Sequence, residues 1–77
     1  MNKHLIDLIN LGCQVVFEKS SRPGNYVLIR ITFKESETSK VHSSENTISI
    51  SDLHDFSLAN LFFIQAKNNF LEKLYSQ

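Results

Sequence analysis

The last third of the chain carries more apolar surface than one helical face can hold, and this surplus constrains the fold more than any other feature. Helical spacing is continuous from residue 58 to residue 74, and a helix turning by about 100° per residue sorts the apolar side chains into two stripes. A surface helix of a monomer usually has one apolar stripe, so we predict that the second stripe mediates self-association. The first stripe contains Ala59, Phe62, Phe63, Ala66, Phe70 and Leu74, and the second contains Leu61, Ile64, Leu71 and Tyr75.

The preceding residues predict a short helix followed by antiparallel strands. Residues 2–11 have helical spacing, and Gly12 suits the C-terminal cap because glycine enters the left-handed conformation without steric cost. Residues 13–18 and 26–34 alternate between apolar and polar side chains, which is typical of strands with one buried face. The turn formers in residues 20–25 therefore predict a hairpin between these two strands.

The third strand is marked less clearly. Residues 35–39 are polar and predict a turn. Residues 40–46 fit either one long strand with a bulge or a loop followed by a short strand. Alternation resumes over residues 47–51, so we expect these residues to contain the third strand.

The long helix has two candidate starting points. Ser51 or Asp52 can cap it through a side-chain oxygen, and Ser57 offers a second cap, so we expect the helix to start late or to bend near residues 55–57. The element order is then α-β-β-β-α. Two helices that share one face of a three-stranded antiparallel sheet form a two-layer α+β sandwich, which is the predicted fold class.

Composition narrows the class of protein. A chain of 77 residues forms one domain, residues 1–77, and 42% hydrophobic residues are typical of a folded protein. The formal net charge of zero lacks the basic excess of domains that bind nucleic acid through phosphates. One cysteine, the absence of a long apolar run and an N-terminus unlike a secretory signal predict a cytoplasmic protein without a membrane anchor.

Few residues are candidates for chemistry. His4, His42 and His54 do not have zinc-ligand spacing, and we expect them to be solvated loop and helix-start residues. A metal site built from His42 and His54 with Glu45, Asp52 or Asp55 is the alternative. Cys13 is expected to be a buried strand residue rather than a nucleophile. The chain has no phosphate loop or nucleophile elbow, so we predict a protein without enzymatic activity or cofactor.

The face of the sheet away from the helices is the predicted partner-binding surface. Val16, Tyr26, Leu28 and Arg30 point to this face if the strands alternate as described. Tyr and Arg are enriched at the energetic centres of protein interfaces. Val16 and Leu28 add apolar area where a solvated sheet face is usually polar. We therefore predict that these four residues contact a protein partner.

Two families share the predicted element order. Residues 65–74 resemble the end of the second helix of double-stranded RNA-binding domains. This resemblance implies a nucleic-acid-binding alternative, although residues 52–57 hold two aspartates where those domains place lysines. The residues that would contact phosphates are Lys19, Arg22, Lys34, Lys40 and Lys67.

A second resemblance is to small phage and prophage accessory proteins. Residues 1–2 with Leu5, Ile6 and Ile9, followed by the strand residues 28–31, are similar to one Cas9-inhibiting type of anti-CRISPR protein. The resemblance implies a small rigid protein, encoded by a phage or mobile element, that inhibits a host defence complex by occupying its surface. We take this as the leading hypothesis, with the nucleic-acid-binding domain and a structural homo-oligomeric subunit as alternatives.

Overall fold

A computed structural model describes residues 2–76, and Met1 and Gln77 lie outside the described residues. The architecture is α+β, as the sequence predicts, with one additional helical turn before the long helix. No helix within residues 2–76 is both long and apolar enough to cross a membrane. The elements are α1 (Lys3–Asn10), β1 (Gln14–Lys19), β2 (Tyr26–Lys34), β3 (Val41–Ser49), α2 (Ile50–Leu53) and α3 (Phe56–Tyr75).

The end of α1 is set by Gly12, which has a φ of 100°. Its N–H donates to the carbonyl of Ile9 at 3.0 Å, and the N–H of Cys13 donates to the carbonyl of Leu8 at 3.0 Å. This pair of bonds is the Schellman pattern, which satisfies the last helical carbonyls and requires a residue in the left-handed region. The predicted cap at Gly12 is confirmed.

The sheet has the order β1-β2-β3, and both strand pairs are antiparallel. β3 pairs with β2 along its whole length, from Val41 beside Lys34 to Ser49 beside Tyr26, in a constant register. Residues 41–49 are therefore one long strand without a bulge. The long strand of the first alternative is confirmed, its bulge is wrong, and the second alternative of a loop and a short strand is wrong. Ile50 belongs to the following helix rather than to the strand.

The long helical region is divided near the predicted position, but by other residues. Ser49 caps α2 by accepting the N–H of Asp52 at 3.2 Å. Asp55 caps α3 by accepting a backbone N–H of the first turn at 3.1 Å. The predicted caps at Ser51, Asp52 and Ser57 are wrong, because the strand ends earlier than expected and the aspartate before α3 is placed to accept from its first turn.

α1 and α3 lie on one face of the sheet and enclose the hydrophobic core with it. α1 contacts β1 and α3, whereas α3 also contacts β3. The first stripe of α3 faces this core, with Ala66 and Phe70 fully buried and Phe62, Phe63 and Leu74 packed against them. Cys13 is buried as predicted, but it precedes β1 rather than belonging to the strand. Burial raises the pKa of its thiol. The buried cluster contains Leu5, Leu8, Cys13, Ile29, Ile31, Ala66 and Phe70.

The second stripe of α3 is divided between the core and the surface. Leu71 packs against the hydrophobic core, and Ile64 is half-buried. Leu61 and Tyr75 are 51% and 71% exposed. The prediction that all four residues of the second stripe are free for self-association is therefore wrong for Leu71 and Ile64. α3 presents a wider arc of side chains to the core than its first stripe alone.

Candidate functional site

The candidate site is the outer face of the sheet, which is the face opposite the helices. Paired residues of antiparallel strands share a face, and the register sets Val16 beside Arg30 and Glu18 beside Leu28. Tyr26 lies on the same face, two residues before Leu28. The structure thus brings together all four residues that the sequence nominated, on one surface.

The centre of the outer face is apolar. Val16 and Leu28 are half-buried there, on the face opposite the helices. Leu28 lies two residues from Arg30, the direct neighbour of Val16, so the two apolar side chains are diagonal neighbours across the strand pair. Around them the strands present hydroxyl groups, including those of Thr32, Ser43 and Thr47.

Arg30 is held between two carboxylates. Its Nη2 lies 2.6 Å from Oε1 of Glu18 and 2.8 Å from Oε2 of Glu45, and its Nε donates to Glu45 at 2.9 Å. The hydrogen bond to Glu45, followed by the charge of Glu18, raises the pKa of Arg30 above its ordinary value. The two carboxylates orient the guanidinium, and their two negative charges exceed its one positive charge. This part of the outer face therefore does not attract phosphate.

The first hairpin loop folds against Tyr26. The guanidinium carbon of Arg22 lies 4.0 Å from the centre of the Tyr26 ring, a cation–π distance. Gly24, with a φ of 104°, passes so close that a Cβ there would lie 3.2 Å from the ring. Only glycine suits both the conformation and the approach, so the loop holds the Tyr26 ring in one position.

A groove beside Tyr26 extends the outer face at this end of the sheet, and the sequence did not indicate it. The loop approaches the start of α2, since the N–H of Ile50 donates to the carbonyl of Asn25 at 2.9 Å. The groove is open and has a volume of about 610 Å³. Its lining residues are Pro23, Gly24, Asn25, Tyr26, Ser49, Ile50, Ser51 and His54.

One histidine prediction is wrong. His42 is not a solvated loop residue, because it is only 3% exposed on the helix-facing side of β3. Its Nε2 lies 2.8 Å from Oε1 of Glu35, whose other oxygen accepts from Thr38 at 2.6 Å. The bonds from Thr38 and then His42 lower the pKa of Glu35 below its ordinary value. This group organises the turn between β2 and β3.

The alternative metal site is not assembled among the described residues. His42 faces the helices, Glu45 faces outward, and His54 follows the opposite end of β3. Within residues 2–76, no group of three histidine, cysteine, aspartate or glutamate side chains is arranged to hold a metal ion.

The basic residues named for the nucleic-acid alternative are not gathered on one surface. Lys19 and Arg22 lie at the end of the sheet that carries the first hairpin, whereas Lys34 and Lys40 lie at the other end. Lys67 lies in the helix layer and donates to Asp7 at 2.8 Å. A phosphate-binding surface usually clusters such charges on one face, and this arrangement separates them.

No protein-family model, curated protein or solved structure matches the chain significantly. The geometry of the outer face therefore carries the functional argument.

Proposed function

We propose that the protein is a small non-enzymatic binding domain that docks on a larger protein through the outer face of its sheet. The observation that carries this proposal is the apolar centre formed by Val16 and Leu28 on the sheet face opposite the helices. Apolar area surrounded by polar groups is typical of protein interfaces.

The flanking residues suit recognition by a rigid surface. Arg30 is oriented by Glu18 and Glu45, and Tyr26 is held by its hairpin loop. Side chains that are already ordered lose little conformational freedom on docking, so a small area gives useful affinity. The groove beside Tyr26 adds a recess for a side chain of the partner.

The resemblance to anti-CRISPR proteins suggests the class of partner. In this form of the proposal, a phage or mobile element encodes the protein, which works in the cytoplasm of the host cell. It inhibits a host defence complex of the CRISPR-Cas type by covering a surface that the complex needs. The mechanism is steric and uses none of the protein's residues as a catalytic group.

The test is affinity capture from a bacterial lysate, with and without nuclease, followed by mass spectrometry and sizing of the eluted complex. We expect a protein partner at fixed stoichiometry that survives nuclease. Leu28→Ala, alone and with Arg30→Ala, should remove apolar contact and weaken the complex at least about tenfold, which corresponds to about 1.4 kcal/mol.

Leu61→Ala is the matched control, since Leu61 is 51% exposed on the helix layer and should leave capture unchanged. Circular dichroism of each variant separates lost binding from lost folding. Capture that disappears with nuclease would overturn the proposal and indicate nucleic-acid binding. A complex that is weakened by Leu61→Ala but not by Leu28→Ala would also overturn it, and would indicate that the partner binds the helix layer.

A further inference from the structure

The two edge strands of the sheet expose different sets of backbone groups. The N–H of Ser20 donates to the carbonyl of Tyr26 at 3.0 Å, so this pair is hydrogen-bonded. Bonded pairs alternate with unbonded ones in an antiparallel ladder. In β1 the N–H and C=O groups of Val15, Phe17 and Lys19 therefore point away from β2, along the free edge of the sheet.

The opposite edge is protected by α3. The same alternation directs the backbone groups of Ser43, Glu45 and Thr47 outward from β3. The Nζ of Lys73 donates to the carbonyl of Ser43. Lys73 belongs to α3, and covering an edge strand with a helix is a common device against pairing with another chain. The β3 edge is therefore partly closed.

The β1 edge has no equivalent protection within residues 2–76. In this part of the chain, no side chain forms a hydrogen bond to the outward backbone groups of Val15, Phe17 or Lys19. Phe17 is 46% exposed on this edge and meets Phe63 edge-on, with ring centres 6.0 Å apart. Phe63 also lines an open groove of about 520 Å³ between the two helices.

We propose that the β1 edge binds the β1 edge of a second copy of the chain, which forms a six-stranded antiparallel sheet. The pairing places Phe17 opposite the Phe17 of the second copy on a twofold axis, and Val15 opposite Lys19. In this register all three outward residues of each copy form hydrogen-bonded pairs, so every outward N–H and C=O of both edges is satisfied. The proposal does not depend on the binding of a partner to the outer face.

The features of β1 favour a second copy as the occupant. A twofold axis makes each copy satisfy the edge of the other with the same residues, which is the usual symmetry of a dimer. Val16 then faces Glu18 of the second copy, so no like charges lie directly opposite one another. The formal net charge of zero adds no long-range repulsion between copies.

The register also suits the rest of the fold. The axis passes through Phe17, which lies near the middle of β1. The two Phe17 rings meet beside the groove lined by Phe63, where exposed aromatic surface becomes covered. A twofold axis perpendicular to the sheet keeps both outer faces on the same side, so the two candidate sites become one continuous surface.

The first experiment uses the unmodified protein. Sedimentation equilibrium gives the mass over a range of concentrations, and amide hydrogen exchange by NMR reports each edge. We expect a dimer in which the N–H groups of Val15, Phe17 and Lys19 become protected as concentration rises. The N–H groups of Glu45 and Thr47 should exchange at the same rate throughout.

A matched pair of variants tests the axis. Phe17→Lys places two ammonium groups opposite one another and should raise the dimer dissociation constant at least about tenfold. Thr47→Lys adds the same charge to the other edge strand and should leave the constant unchanged. A protein that stays monomeric to millimolar concentration would overturn the proposal, and so would a dimer with protection at β3 instead of β1. Both readouts are independent of any partner.

Discussion

The helix layer covers the two edge strands by different chemistry. Over β1, α1 buries Leu5 and Leu8 in the apolar core. Over β3, the helix-facing residues His42, Ser44 and Asn46 are polar and only Ile48 is apolar. Asn69 of α3 donates to Asn46 at 3.1 Å. A strand therefore need not be apolar to be covered by helices. Apolar contacts supply stability on the β1 side, and polar contacts select the position of the helix on the β3 side.

The polar side is not completely satisfied within residues 2–76. The Oγ of Ser44 and the Nδ2 of Asn46 are buried without a hydrogen-bond partner in this part of the chain. Such groups reduce stability. Among the described residues, the β3 side has these two and α1 has one, the Nδ1 of His4, so the β3 side should contribute less to the free energy of unfolding than the α1 side. Three measurements test this comparison, in order of expected effect.

The largest effect is expected from Leu8→Ala. Leu8 is 1% exposed, and truncation of a buried leucine leaves a cavity, so the free energy of unfolding should fall by about 2–5 kcal/mol. Urea unfolding followed by circular dichroism measures the change. Ile9→Ala is the control on the same helix, because Ile9 is 48% exposed; equal losses in the two variants would contradict the assignment of α1 to the apolar side.

A smaller loss is expected from Asn69→Ala on the polar side. This variant removes the hydrogen bond from Asn69 to the side-chain oxygen of Asn46. The free energy of unfolding should fall by about 0.5–1.5 kcal/mol. The neighbouring exposed variant Asn68→Ala should have little effect in the same urea titration. If Asn69→Ala lowered the free energy of unfolding as much as Leu8→Ala, the proposed difference between the α1 side and the β3 side would be contradicted.

The smallest expected effect is a pH dependence of stability, to which carboxylates on both the α1 side and the β3 side contribute. The pKa values of Glu35, near β3, and Asp7, on α1, are lowered, chiefly by hydrogen bonds from Thr38 and Lys67 respectively. A carboxylate with a lowered pKa in the folded state stabilises the fold above its ordinary pKa. This stabilisation is lost as pH falls through the lowered value, so the melting temperature should decrease in acid.

Glu35→Gln and Asp7→Asn should each make that decrease shallower below the ordinary values of 4.5 and 3.8. Melting curves between neutral pH and about pH 3 measure the slope. Glu18→Gln, on the outer face, provides a comparison carboxylate. An unchanged slope in both variants would show that neither contact stabilises the folded state.

Much of the fold was predictable because local patterns and tertiary packing agree. The alternation of residues 26–34 reflects a strand buried on one face, and Gly12 occupies a position that requires a positive φ. The four outer-face residues were placed on one surface for the same reason, since period-two alternation determines the face of each side chain.

The element order, the α+β class and the shared outer face of four residues follow from periodicity and turn chemistry, so they could be predicted from the sequence; the four residues are Val16, Tyr26, Leu28 and Arg30. Tertiary packing was needed to establish that residues 41–46 continue β3, that His42 is buried, and that the second stripe of α3 is divided between core and surface. Helix-facing His42, Ser44 and Asn46 are polar, so no apolar alternation marks them. His42 bonds to Glu35, which lies seven residues earlier, and Asn46 bonds to Asn69, which lies 23 residues later. No local pattern reports such side-chain contacts.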